Sequence, residues 1–391
     1  MKNDSSARIA ELDGLRAATI FLISWYHIWQ QSWLTPHIGG CSLDFLVRSG
    51  YVWVDGMVLL SAFLLFLPYA RAMRDGGPVP DTASFYYRRV RRILPSFYFI
   101  ILLVFFSVAL PFRLYSSPQY AVKDLATHFT FTFTFFYDTY VATPLGAASW
   151  TLAIEVQAYL LFPLIAKCVM KKPAVTLGVI CAVCFGFRGW CLWALNDYTM
   201  VVNQLLNFLD VYALGILLAV IYIRLDQPES ARRRRIMKTA AATVLFAVAC
   251  VLLVRLLRLY ASSADYPQIQ RRQMIWRPAF ALCYGTLIVS CHFAAKPLRL
   301  LLGNPVMRFL SGISMNYYLI HQTVIVHMRR IGFPYSEFDL PNREPDRPWQ
   351  NRYTLLSFAI SLAAAVLITY LIEKPAARLF DRIRNKKREA L

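Results

Sequence analysis

The sequence predicts an all-α, polytopic integral membrane protein with about ten transmembrane helices and both termini on the cytoplasmic side. Three observations carry this. Of the 391 residues, 58% are hydrophobic and only 16% are charged, whereas soluble domains hold about a quarter charged residues. The apolar residues come in runs of about 20, the length that crosses a hydrocarbon core. The 42 Lys and Arg residues sit in short blocks between those runs, which is how membrane proteins fix their orientation.

The spans fall at 15–34, 51–70, 94–112, 150–169, 174–195, 202–223, 236–257, 275–294, 308–328 and 354–373. The first follows a polar stretch of mixed charge, Met1–Ala10, and no small-residue cleavage pattern comes after it. It therefore reads as an uncleaved anchor rather than a signal peptide. The second carries a single acid, Asp55, in an otherwise apolar run, and the third follows the basic stretch "SFYYRRVRRILPSFY". Glu155 lies in the fourth, Arg188 in the fifth and Asp210 in the sixth. The run Arg232–Arg235 precedes the seventh and reads as a cytoplasmic anchor block. The eighth and tenth follow 257–275 and 329–353, where Pro, Arg and Asp collect, and the ninth holds His321. With the N-terminus inside, the cytoplasmic segments hold 28 of the 42 Lys and Arg. One transmembrane domain is expected, with its core over 8–375 and a basic cytoplasmic tail at 376–391.

The long connections, 113–149 and 329–353, read as loops or interfacial segments. Within the first, "HFTFTFTFFYDTY" (His128–Tyr140) alternates polar and aromatic residues, the pattern of a strand or an interfacial stretch. The net charge of +20 does not point to nucleic acid, because topology accounts for the distribution of the basic residues. The eight cysteines form no disulfide framework, and Cys181-x-x-Cys184 lies inside an apolar run without a second pair, as packing residues do.

Charges inside spans are costly and usually face a cavity. At a rise of 1.5 Å per residue, His27 and His321 lie about 10 Å below the outer surface, Glu155 about 8 Å and Asp55 about 6 Å. Four spans thus bring ionisable groups to similar depth, as one polar chamber would. Each also has a plainer role: the histidines can bond a neighbouring helix, and Asp55 or Glu155 can pair with Arg188. Arg88, Arg89, Arg91 and Arg92 stand at the cytoplasmic side of the third span. They serve either topology or a phosphate group, whose oxygens suit guanidinium forks.

Several stretches together resemble the bacterial acyltransferase 3 family of membrane acyltransferases. "RIAELDGLRAATIFLISWYH" is similar to its opening motif, with Arg16 and His27 eleven apart. "GYVWVDGMVLLSAFLL" resembles its second-span motif around Asp55, although Gly56-Met57 and Ser61-Ala62 depart from the usual residues. "FYYRRVRRILP" carries its Arg-x-x-Arg signature as Arg89 and Arg92. "SWTLAIEVQAYLLFPL" looks like its Trp-Glu-Gln-Tyr stretch, with Trp150, Glu155, Gln157 and Tyr159. "ISMNYYLIH" and "YLIEKP" resemble its last two landmarks. The motifs run in order over nearly the whole chain.

The resemblance implies a ten-span protein of the bacterial cytoplasmic membrane that moves an acyl group, usually acetyl, from acyl-CoA to a hydroxyl of a carbohydrate or glycosylated acceptor. His27 is then the expected general base, with Glu155 or Asp55 orienting it. Arg16, Arg89 and Arg92, with Arg88 beside them, would hold the acyl-CoA phosphates. Trp150, Tyr159 and His321 would contact substrate. The rise from Arg16 to His27 is about 16 Å, within reach of an extended pantetheine arm. The expected partners are the acyl-CoA donor, the acceptor and membrane lipids, with no metal and no nucleic acid, and the oligomeric state is open. The competing reading is a proton-coupled transporter of a sugar-like or lipid-linked substrate, which buried His, Asp and Glu also fit.

Overall fold

The structure is a computed structural model that describes residues 8–343 and 346–389. The stretch before residue 8 and the last two residues of the basic tail lie outside the described residues. Among those described, ten long helices follow one another. They are α1 (Glu11–Ser32), α2 (Trp53–Asp75), α3 (Thr82–Val104), α4 (Trp150–Lys171), α5 (Pro173–Ala194), α6 (Leu209–Leu225), α7 (Arg232–Ala261), α8 (Tyr266–Phe293), α9 (Pro305–Arg330) and α10 (Arg347–Ile368). A π-helical turn, Thr369–Glu373, leads from α10 into α11 (Lys374–Glu389). The only strands among the described residues are a two-residue pair, His37–Ile38 with Cys41–Ser42.

Local chemistry sets the helix starts. Asp81, Asp265, Asn304 and Asp346 each accept a backbone N–H three residues on, capping α3, α8, α9 and α10. Proline stands in the first turn of α5, α8, α9 and α10, where its missing N–H costs nothing.

Eight helices are long and apolar enough to cross a membrane: α2 to α8, and the rod of α10 with α11. The chain is a multi-pass membrane protein. The two remaining helices of the ten expected, α1 and α9, have 22 and 26 residues. They are long enough to span but more polar, because they turn Ser24, Ser311, Ser314, Asn316 and His321 into the bundle. They pack on each other, and α10 backs α9. Helix α2 sits among α1, α4, α6 and α8, with 78% of its apolar stretch buried against 17% for α5 and 22% for α7. The bundle thus has α1, α2 and α9 inside and α5 and α7 toward lipid. Gly215 makes the closest approach possible: a Cβ there would lie 2.7 Å from the Ala62 Cβ and 2.8 Å from the Leu59 carbonyl oxygen.

The stretch His128–Tyr140 is not a strand. A helix, Pro118–Phe129, ends within it, followed by a 3-10 turn, Phe133–Phe135, and a short helix, Tyr137–Tyr140. Its alternation arises because Phe131, Phe133 and Thr134 point inward while Phe135, Phe136 and Tyr137 stay exposed. His128 is fully buried, bonds Asp124 and stacks on Phe133 at 4.0 Å.

Candidate active site

Three cavities lie in series through the bundle. A mouth of about 420 Å³ is lined by Arg8, Asp13, Arg16, Arg71, Arg92 and Glu373, with apolar residues between them. It shares Arg16, Leu64 and Arg92 with an inner chamber of about 250 Å³, whose polar wall adds Arg89, Glu155, Tyr159 and Ser61. Beyond Tyr318 lies an outer chamber of about 280 Å³. Its wall includes His27, Gln30, Tyr140, Trp150, Asn203 and Gln322.

The four arginines at the start of α3 separate by helical phase. Arg89 and Arg92, three residues apart and so on one face, line the inner chamber. Arg88 is exposed and lines none of the three cavities. Arg91 turns the other way and bonds Asp381 of α11. Arg16 and Arg92 have no hydrogen bond or ion pair among the described residues, and the Arg89 Nε is buried without an acceptor. Arg89 lies over the Tyr159 ring at 5.5 Å. Cations gathered at a cavity without carboxylate partners form a receptor for an anion. Glu155 is the acid of this chamber, and its Oε2 accepts the Tyr159 hydroxyl at 2.7 Å.

His27 stands in the last turns of α1 and faces the outer chamber. Its Nδ1 lies 3.0 Å from the Oε1 of Gln30, whose Nε2 donates to the Tyr26 hydroxyl at 2.9 Å. An amide oxygen can only accept, so Nδ1 carries the proton and Nε2 keeps its lone pair. His321 is fully buried behind it, with ring centroids 5.2 Å apart. Its Nδ1 donates to the Tyr318 carbonyl at 2.6 Å, and its Nε2 has no partner among the described residues. Two imidazoles of the same tautomer therefore stand side by side.

The single chamber expected from helical depth is divided. Neither Asp55 nor Glu155 bonds His27; Gln30 does. Asp55 is fully buried on Arg277, whose guanidinium also donates to the carbonyls of Val202 and Asn207 and lies over Phe208 at 3.9 Å. Arg188 pairs with Asp210 through two bonds of 2.9 Å, not with Asp55 or Glu155. Of the expected substrate contacts, Trp150 lines the outer chamber, Tyr159 the inner one, and His321 stands behind His27. Sequence reasoning missed Gln30, Arg71, Arg277 and Tyr318. Gln30 was findable, since residues three apart on a helix meet. Arg277 was too, as the one charge inside 275–294.

Comparison with known proteins gives the family. The acyltransferase 3 model, described as an acyltransferase domain, matches residues 9–374. The O-acetyltransferase OatA of Staphylococcus aureus, in strains NCTC 8325, COL and MRSA252, is 29% identical over 227 residues. That match covers 54% of this chain and 34% of the relative, so the chain spans about a third of the length of those proteins. No solved structure matches it. With six motifs in order, a family model covering nearly its whole length and helices built to cross a membrane, this chain belongs to the acyltransferase 3 family.

Proposed function

We propose that this protein is an O-acyltransferase of the bacterial cytoplasmic membrane. It takes an acyl group, acetyl in the simplest case, from cytoplasmic acyl-CoA and passes it to a hydroxyl of a carbohydrate or glycosylated acceptor. One observation carries the reading: an arginine-lined cavity open to the basic face of the molecule leads toward a histidine whose Nε2 lone pair is available.

The chemistry follows from the groups present. The mouth arginines, Arg16, Arg71 and Arg92, receive the phosphates of the donor, and Arg89 extends the cationic wall inward. The thioester enters through the inner chamber. His27 Nε2 takes the proton of the acceptor hydroxyl as its oxygen attacks the thioester carbonyl carbon. The C–S bond breaks, and the proton returns from the imidazolium to the CoA sulfur. Gln30 holds the tautomer through the Nδ1 proton, the part a carboxylate takes in a triad. The neutral His321 stands where it can stabilise the imidazolium. Trp150 and the amides of the outer chamber suit a polyhydroxylated acceptor, and the similarity to O-acetyltransferases supports a hydroxyl.

The test is release of free CoA from acetyl-CoA by purified protein in nanodiscs, with a panel of sugar acceptors, wild type beside His27→Ala. Acceptor-stimulated release that needs His27 is expected. Release that persists unchanged in the variant overturns the general base. Neither binding nor turnover of acetyl-CoA by the wild type overturns the donor.

A further inference from the structure

The donor side and the base are in different chambers, so the thioester must pass between them. The inner and outer chambers share one lining residue, Tyr318. On each helix that lines both chambers the wall changes chamber within about one turn at the same level. Ile20 lies inside and Ile23 outside on α1, Met57 inside and Val54 outside on α2, and Thr151 inside and Trp150 outside on α4. Tyr318 completes that partition from α9.

Tyr318 is held at both ends. Its hydroxyl donates to the Ala148 carbonyl at 2.9 Å, on the short turn Ala147–Ser149 that precedes α4. The Ala148 N–H is taken by the Gln322 side chain, which itself lines the outer chamber. Its own carbonyl accepts the His321 Nδ1 proton, so the backbone of Tyr318 sets the ring beside His27. The partition is therefore wired to the outer-chamber wall on one side and to the histidine pair on the other.

Resting on the donor and base assigned above, we propose that Tyr318 is the gate between donor and acceptor chambers, latched shut by its hydrogen bond to Ala148. A gate answers a chemical requirement. His27 that can deprotonate a sugar hydroxyl can deprotonate water as well. Water reaching the thioester would add its oxygen to the carbonyl carbon, break the C–S bond and yield acetate and CoA, the proton passing through His27 to sulfur. The closed tyrosine keeps the thioester from the outer chamber's water until acceptor fills that chamber and displaces the turn at Ala148 through Gln322.

The experiment measures acetate formed from acetyl-CoA without acceptor, in nanodiscs, together with acetyl-CoA binding. Tyr318→Phe removes the latch and keeps the ring. A hydrogen bond worth about 1 kcal/mol holds the closed state by roughly fivefold, so acetate formation should rise about fivefold. Tyr318→Ala removes the partition itself and should raise it more than about tenfold. Adding His27→Ala to Tyr318→Ala should abolish the gain. Variants that bind acetyl-CoA and hydrolyse it at the wild-type rate overturn the gate. A gain that survives loss of His27 overturns the passage to that residue. A wild type that binds no acetyl-CoA overturns the donor reading, and the gate with it.

Discussion

The inner and outer chambers share four helices, α1, α2, α4 and α9, but α3 adds its arginines to the inner wall and α8 its glutamines to the outer, and the two differ in electrostatics. The inner one and its mouth gather Arg16, Arg71, Arg89 and Arg92 against the acids Asp13, Glu155 and Glu373. The outer one has no Lys, Arg, Asp or Glu in its wall among the described residues; its polar groups are amides, hydroxyls and His27, set among aromatic and aliphatic side chains. On the function proposed above, one side would hold a multiply charged donor and the other an uncharged acceptor beside an imidazole free to accept a proton. Eleven residues along one helix, about three turns, separate Arg16 in the inner wall from His27 in the outer on α1.

The largest effect should come from the outer side. His27→Ala is expected to lower the rate of transfer by about 10²–10⁴, the usual contribution of a positioned general base. Donor binding should stay within about twofold, because the anion receptor lies in the other chamber. Steady-state turnover with equilibrium acetyl-CoA binding measures both. Equal loss of the two would merge the chambers into one functional unit and undo the comparison.

A second contrast sets a buried, paired charge against cavity-lining charges that have no partner among the described residues. Asp55 and Arg277 are completely buried and face each other at 3.1 Å. Arg277 also takes two backbone carbonyls, so this group holds α2, α8 and the segment before α6 together. Asp55→Ala leaves that guanidinium buried without its counter-charge and should cost about 3–5 kcal/mol of stability. A markedly lower unfolding temperature in detergent is the expected readout. Arg16 and Arg92 have no such partner among the described residues, and removing either should leave the unfolding temperature nearly unchanged. An Asp55→Ala protein as stable as wild type would move Asp55 from the scaffold to the chemistry.

Helical phase gives the third prediction. Arg89→Ala with Arg92→Ala should weaken acetyl-CoA binding by at least about a hundredfold, at about 1.5–3 kcal/mol for each of two hydrogen bonds to a charged group. Arg88→Ala, one residue away, should have almost no effect. Calorimetric titration of the three proteins decides it. Equal weakening by Arg88→Ala would mean a diffuse positive surface rather than a receptor with two named guanidinium groups.

Much of this was legible before any coordinates. The apolar runs located the ten long helices, and the motif at the start of α1 pointed to Arg16 and His27. What counting could not supply was lateral position. Depth along a helix put Asp55, Glu155, His27 and His321 at one level, yet only the two histidines meet. Asp55 faces Arg277, 222 residues away in sequence, and Glu155 faces the inner chamber with Tyr159. A one-dimensional depth cannot report the helical phase of a neighbouring span, and tertiary partners are chosen by phase. Local spacing succeeded for Arg89 with Arg92, and the same rule would have found Glu155 with Tyr159 and His27 with Gln30, whose partners also lie on the same helix.

That last pair gives the smallest and sharpest test. If Gln30 only fixes the tautomer of His27, its loss removes one neutral hydrogen bond and no charge. Gln30→Ala should then lower the rate of transfer about fivefold, the worth of one such bond, with acetyl-CoA binding unchanged. A carboxylate orienter in a triad behaves differently, because it also stabilises the imidazolium, and its removal costs about 10⁴ in rate. A loss in Gln30→Ala closer to the triad value would mean that the amide is doing more than fixing a proton. It would also mean that the uncharged outer chamber depends on this single contact to hold the imidazolium formed during transfer. A modest loss, with Asp55→Asn and Glu155→Gln leaving the His27-dependent step in place, would establish that the base operates without any carboxylate at its back.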